Sequence, residues 1–465
     1  MQQKFRRALL ASLSLAAVAA GTCANANEGL ELIGYGVRQK ALAGADLAAP
    51  DDAMAASSNP AGIIGLPREY QFGMGFLVAD RGYEAYGPVS VVAPGYVESG
   101  RPLFPIPNGG SVHPIDADSA WAEISYTNGG VNTAYSMWNF RPNVFAPAVA
   151  GGGLISLSAG GPFGGGFTGV DLEQEFFSLV YARKFGPVSI GFAPIFAAQA
   201  FNAQGLKVFA PYSSNPFHIS DNGYDYSFGG GFKIGALWEP IKGFRVALAG
   251  TTPMFMTPFS KYSGLIADGG RFDVPADASA GLAYDLTPDL TAMVSWKHIF
   301  YSAVPSMSNS SFPIYPGSLG AWNGTGFGWR DVDGESFGLE WRANKQWTLR
   351  AGYQHSSSLY GSQSVTTNIL APAVTNHHAT AGFSYQITKN SSIDFSTVYA
   401  FKNSVSGPEA DPYVQFLAFG FFPVTVPPQY RPGTTITNFA YGAEFSIGYN
   451  YKFDVGDNSF IPTHF

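Results

Sequence analysis

Residues 439–455 read FAYGAEFSIGYNYKFDV. Phe439, Tyr441, Ala443, Phe445, Ile447, Tyr449, Tyr451, Phe453 and Val455 take every second position, and Glu444, Ser446, Gly448, Asn450, Lys452 and Asp454 lie between them. A period of two belongs to a β-strand, whose successive side chains point to opposite faces. The run exceeds the ~6 residues of an average soluble strand and is long enough for a membrane strand, which needs about nine to eleven. In a transmembrane barrel the apolar face of such a strand meets lipid and the polar face lines the lumen.

The same alternation recurs in pairs around short turns. Phe337, Leu339 and Trp341 precede Asn344-Lys345, and Trp347, Leu349, Ala351 and Tyr353 follow. Similar pairs flank Lys389-Asn390, Pro288-Asp289, the stretch Pro240 to Gly243, and Phe185-Gly186-Pro187. Gly, Pro, Asn, Asp and Lys are the residues of tight hairpin turns. Long irregular segments separate the pairs, and short turns on one side with long loops on the other mark a membrane barrel. Ten strands flank these five turns, and 439–455 adds one. Three more are expected at Tyr70–Ala79, Tyr135–Phe145 and Ala150–Ala159, which leaves 80–134 as a long Pro-rich first loop. The sum is an all-β, 14-stranded antiparallel barrel over residues 70–465, an even number as single-chain bacterial barrels require.

Composition agrees. Charged residues make up 13% of the chain, against about 25% in soluble domains, and aromatics make up 15%. After the first 26 residues no run of eighteen apolar residues occurs, so membrane helices are not expected. A net charge of −7 argues against nucleic acid as a partner. The amino terminus carries Lys4, Arg6 and Arg7, then apolar Ala8–Ala20, then Ala24-Asn25-Ala26. That order reads as a cleaved signal peptide over 1–26. The single Cys23 precedes the cut, so the mature chain has no disulfide and no thiolate metal site. Phe465 supplies a C-terminal aromatic, although Pro462 interrupts the alternation before it.

Residues 27–69 show no strand pattern. Val37–Ala49 is rich in Ala and Leu and suits a short helix, and Asp51-Asp52 after Pro50 can cap another. Such a segment at the head of a barrel is expected to fold in the lumen as a small, partly helical plug. Here a resemblance becomes specific. Ala43-Gly44-Ala45, Asp52-Ala53 and Asn59-Pro60-Ala61-Gly62, in that order, resemble the N-terminal hatch of the FadL-type long-chain fatty acid transporter family, which includes aromatic-hydrocarbon importers. Lys261–Gly264 with Phe272–Pro275, Gly328-Trp329-Arg330-Asp331, Leu349–Tyr353 and Asn368–Pro372 resemble later motifs of that family, again in order. The sequence departs from the family at Asn376-His377-His378, where fatty-acid importers tend to carry an acidic–basic pair. It departs also in the glycine-rich 151–169 and in the long first loop.

The resemblance implies a monomeric outer-membrane protein, folded by the barrel-assembly machinery among lipid and lipopolysaccharide. It would take up a fatty acid or hydrocarbon through apolar pockets, without a cofactor, and release it sideways through the wall. Asn59, Pro60, Ala61 and Gly62 would position the hatch. Phe201, Phe209 and Phe217 in one loop, with Met254, Phe255, Met256 and Phe259 in another, offer an apolar entrance groove, since Met adapts to irregular apolar sites. Gly160-Gly161-Pro162 offers a break in a wall strand, because Pro withholds a ladder donor and Gly permits a bend. A general diffusion porin and a structural or adhesive barrel are the alternatives. Enzyme chemistry finds little support. His377 and His378 point to opposite faces of a strand and cannot grip one metal ion together. Gly151–Gly153 and Gly164–Gly166 lack the Lys-Ser/Thr of a phosphate loop.

Overall fold

The computed structural model describes residues 28–87, 92–136, 161–163, 165–410 and 430–453. The signal segment 1–26, the strand expected at 150–159, all of that at 135–145 beyond Ser136, and Phe465 lie outside them. Fourteen antiparallel strands close a barrel. In chain order they are β1 Glu69–Tyr86, β2 Leu103–Pro114, β3 Ser119–Tyr135, β4 Thr168–Phe185, β5 Val188–Gln204, β6 Asp225–Ile241 and β7 Phe244–Thr251. These are followed by β8 Asp277–Thr287, β9 Leu290–Ile299, β10 Val332–Arg342, β11 Trp347–Ser356, β12 His377–Gln386, β13 Ser391–Ala410 and β14 Tyr430–Lys452. Each strand pairs with its neighbours in sequence, and β1 pairs with β14 from Glu69↔Lys452 to Tyr86↔Thr435. Two short strands, Gly95–Glu98 and Phe255–Met256, pair onto β1 and β6 outside this circle. Among the described residues no helix is long and apolar enough to cross a membrane.

The strand count of fourteen holds, but two members differ from expectation. β2 and β3 lie inside the segment read as a loop, joined by a tight turn at 115–118, and β3 pairs directly with β4. Pro105, Pro107, Gly109 and Gly110 hide β2 from a reading of alternation, since Pro within a run argues against a central strand. The five expected turns all join neighbouring strands on one side, and the long loops lie on the other. By the rule that barrels keep short turns in the periplasm, the long loops face outside the cell.

Alternation sorts the wall as the C-terminal stretch suggests. On β14, Phe445 and Ile447 are exposed while Glu444, Ser446, Gly448 and Asn450 are buried inward. The inward polar residues meet the segment 28–66, which fills the lumen with short helical pieces at Val37–Ala41, Ala45–Ala48, Ala55–Ser58 and Pro60–Ile63. Asp52 fixes the turn that leads into the third of these, accepting from the Met54 amide at 3.0 Å. Asn59 starts the fourth, accepting from the Ala61 amide at 3.0 Å and donating to Ala236 O on β6 at 3.1 Å. Wall glycines make room for this turn: a Cβ at Gly191 would stand 2.3 Å from the Pro60 carbonyl carbon, and one at Gly235 would stand 2.1 Å from Asn59 Oδ1.

Candidate functional site

Three features lie along the lumen: an ion-paired hatch, an apolar cavity above it, and a break in the pairing of the wall.

Inward charges of both signs hold the hatch. Arg38 pairs with Asp51 and Asp394 at 3.0 Å each and approaches Asp52 at 3.7 Å. Arg350 on β11 binds Asp51 at 2.5 Å and Glu340 at 2.9 Å. Lys40 pairs with Glu444, and Lys297 on β9 with Glu28 and Glu31. These charges are clamps for the plug. Asp46 stands apart. It is buried, and its Oδ2 has no hydrogen-bond partner. Burial, reinforced by the nearby Asp52 carboxylate, pushes its pKa up to about 7.

The cavity encloses about 760 Å³ including its mouth. Val131, Val170, Leu172 and Phe201 enter from β3, β4 and β5. Leu265, Ile266 and Phe272 come from the loop before β8, Ile314, Leu319, Phe327 and Trp329 from the loop before β10, and Leu370 and Ala371 from the loop before β12. Among the described residues no ionisable side chain lines it. Its floor touches the first hatch residues through Tyr301, whose hydroxyl donates to Glu28 O at 2.7 Å, accepts from the Leu30 amide at 2.8 Å, and whose ring stands edge-on to Trp329 at 5.8 Å.

The residues expected as an entrance groove are scattered. Phe201 lines the cavity, from the top of a wall strand instead of a loop. Phe259, fully buried, packs behind it at 5.4 Å, and Phe209 packs on Phe163 at 5.2 Å beside the same apolar cluster. Met254 and Met256 lie lower, against hatch residues Ala53, Met54 and Ile63. Phe217 and Phe255 are exposed, 87% and 69%, and do not line this cavity. Residue-by-residue reading passed over most of the true lining. Yet Phe272, Trp329, Leu370 and Ala371 all sit in stretches whose resemblance was noted, so family likeness marked the cavity where apolarity alone did not.

The break in the wall lies between β2 and β3. They pair from Asn108↔Tyr126 to Pro114↔Ala120 and no further. Above this, Leu103–Pro107 pairs with β1 and Thr127–Tyr135 with β4, and neither pairs with the other; Gly129 of β3 bridges instead to Glu31 of the hatch. A shift of register between Thr127 and Gly129 bends β3 at this level, as bulges do. Pro107 turns its carbonyl toward β3, where Thr127 Oγ1 donates to it at 3.4 Å. In an extended strand a residue's N and C=O share a side, so Pro105 and Pro107 withhold donors from the same edge. The gap is bounded above by Gly100 N donating to Ala134 O at 2.7 Å. Arg81 spans it, donating to Asn132 O at 2.6 Å with its guanidinium over Phe104. From inside, Leu32 N donates to Asn128 O at 3.1 Å and Tyr35 to Asn128 Oδ1 at 3.0 Å. Of the three residues expected at such a break, Gly160 lies outside the described residues. Gly161 and Pro162 are buried in the loop before β4, where Pro162 O accepts from the Ala93 amide at 2.9 Å. They are not part of a wall strand.

Residues 188–453 match the sequence profile of the family described as outer membrane protein transport protein (OMPP1/FadL/TodX). The chain belongs to this family. It is therefore a multi-pass outer-membrane transport protein and not an enzyme. Among solved structures, a Pseudomonas aeruginosa FadL homologue superposes with a TM-score of 0.63 at 17% identity, covering 92% of this chain and 100% of that one. The P. putida toluene transporter TodX gives 0.60 at 15% identity, covering 91% and 100%. The Ralstonia pickettii toluene transporter TbuX gives 0.56 at 16% identity, covering 91% and 99%. At such identities the likeness is one of fold. No curated protein sequence matches the chain.

Proposed function

We propose that this OMPP1/FadL/TodX-family barrel takes up hydrophobic small molecules, which enter the cavity from the outer side and leave sideways between β2 and β3. The observation that carries this reading is the cavity itself: apolar, free of ionisable lining, and set between the long loops and the hatch. A ring-sized ligand burying some 150–250 Å² at about 25 cal/mol per Å² gains roughly 4–6 kcal/mol, enough for capture and weak enough for release. The absence of pairing between β2 and β3 above Asn108↔Tyr126 supports a lateral exit, since that is where these two wall strands share no ladder. A diffusion pore is disfavoured because the hatch is bound by ion pairs to β9, β11, β13 and β14 of the wall.

Uptake of radiolabelled toluene and of a labelled long-chain fatty acid, by cells with and without the protein, tests the reading. Uptake of at least one above the empty-vector rate is expected. Leu370→Trp, which fills the cavity, should abolish it while the folded barrel keeps its heat-modifiable gel mobility. Uptake unchanged in this variant, or none with the native chain, overturns the proposal.

A further inference from the structure

Two hydroxyls in the apolar cavity have no partner. Ser306, on the short helix Pro305–Ser308, is only 4% exposed, and its Oγ makes no hydrogen bond. Thr325, on the same long loop, has a buried Oγ1 in the same condition. Both residues line the cavity. The indole N–H of Trp329 is by contrast already committed, to Asn368 Oδ1 at 2.7 Å. The polar capacity left unmet at this site is thus that of neutral hydroxyls, with no cation beside them.

A buried hydroxyl without a partner costs free energy that a bound oxygen can restore. A carboxylate brought to the same place would lose its hydration and find no counter-charge, which is strongly unfavourable. A bare hydrocarbon would fit but would leave both hydroxyls unpaired. A site that can hydrogen-bond its ligand discriminates against analogues lacking the group, for that reason.

We infer that the cavity selects an uncharged apolar molecule carrying a hydrogen-bonding oxygen (a phenol, alcohol or ketone), held by Ser306 and Thr325, in preference to a carboxylate or a bare hydrocarbon. This rests on the reading of the cavity as the uptake site and narrows its substrate class.

The test uses the full barrel in lipid nanodiscs and three ligands of one skeleton, 4-ethylphenol, 4-ethylbenzoate and ethylbenzene, titrated by calorimetry at neutral pH. The phenol should bind about ten-fold more tightly than ethylbenzene, a difference of ~1.4 kcal/mol, and the benzoate more weakly than either. Ser306→Ala with Thr325→Val should lower the ratio of phenol to ethylbenzene affinity from about ten to about one. Ser306→Thr, which keeps the hydroxyl, should retain the preference. Benzoate binding as tightly as phenol, equal binding of phenol and ethylbenzene to the native protein, or a preference untouched by the double variant overturns the inference while leaving hydrophobic uptake standing. Failure of all three ligands to bind overturns both.

Discussion

The lower and upper halves of the lumen are built from opposite chemistry. Below, the hatch is fastened by Arg38, Lys40, Arg350 and Lys297 against carboxylates on both sides of the contact. Above, the cavity offers only apolar surface and neutral hydroxyls. Buried ion pairs contribute little net stability, but removing one partner is costly, and they resist displacement by an apolar molecule that cannot replace them. Apolar surface binds such a molecule with no fixed geometry. The division teaches that one region is made to hold a peptide in place, while the other has the surface that the proposed uptake of apolar molecules requires.

The contrast is broken most severely from below. Lys40→Met leaves Glu444 buried without its cation and should cost about 3–5 kcal/mol, whereas Lys40→Met with Glu444→Leu should recover most of that loss. Thermal unfolding followed by heat-modifiable mobility would read both, and equal losses in the two variants would refute the clamp. From above, Phe259→Ala removes a ring packed behind Phe201 and should cost roughly 3 kcal/mol while weakening ligand binding. Purified protein in nanodiscs gives both readings, and unchanged binding would detach Phe259 from the cavity wall.

Asp46 offers a subtler lever. Its pKa rises from the usual 3.8 to about 7 on folding, so the folded state holds the proton more tightly than the unfolded one. Stability is therefore greatest below pH 4 for this group and declines as pH rises toward 7, by up to about 1.4 kcal/mol per unit. Asp46→Asn should raise the unfolding midpoint at pH 8, with the gain shrinking toward zero near pH 4. A gain independent of pH would assign the effect to something else. The smallest change is expected at Phe255, only four residues before Phe259 but facing outward. Its replacement by Ala should alter stability by no more than about 0.5 kcal/mol and leave ligand binding as it was; a loss comparable to that of Phe259→Ala would place it in the site after all.

What could be read from sequence follows the same division. The lipid-facing wall repeats one rule, apolar out and polar in, so Phe445 and Ile447 or Leu339 and Trp341 announce their strands. β2 breaks the rule because Pro105 and Pro107 face the edge that does not pair with β3, so a strand without one of its ladders does not read as a strand. The cavity is harder still. Its walls come from loops that meet only after the barrel has closed, and residues such as Ile266, Ile314 and Leu370 share no period that would single them out. Phe217, Phe255 and Phe259 look alike in sequence, and only the fold separates two exposed rings from a buried one.

The clamps on the hatch also bear on how the barrel is assembled. Glu444, Asp394, Arg350 and Lys297 stand on four different strands, and each faces the lumen only at its present register. A slip of one residue in any pairing would turn that strand's charge toward lipid and strip the hatch of a partner. Full docking of the plug that precedes the first strand thus requires four separate strands to hold their present register at once.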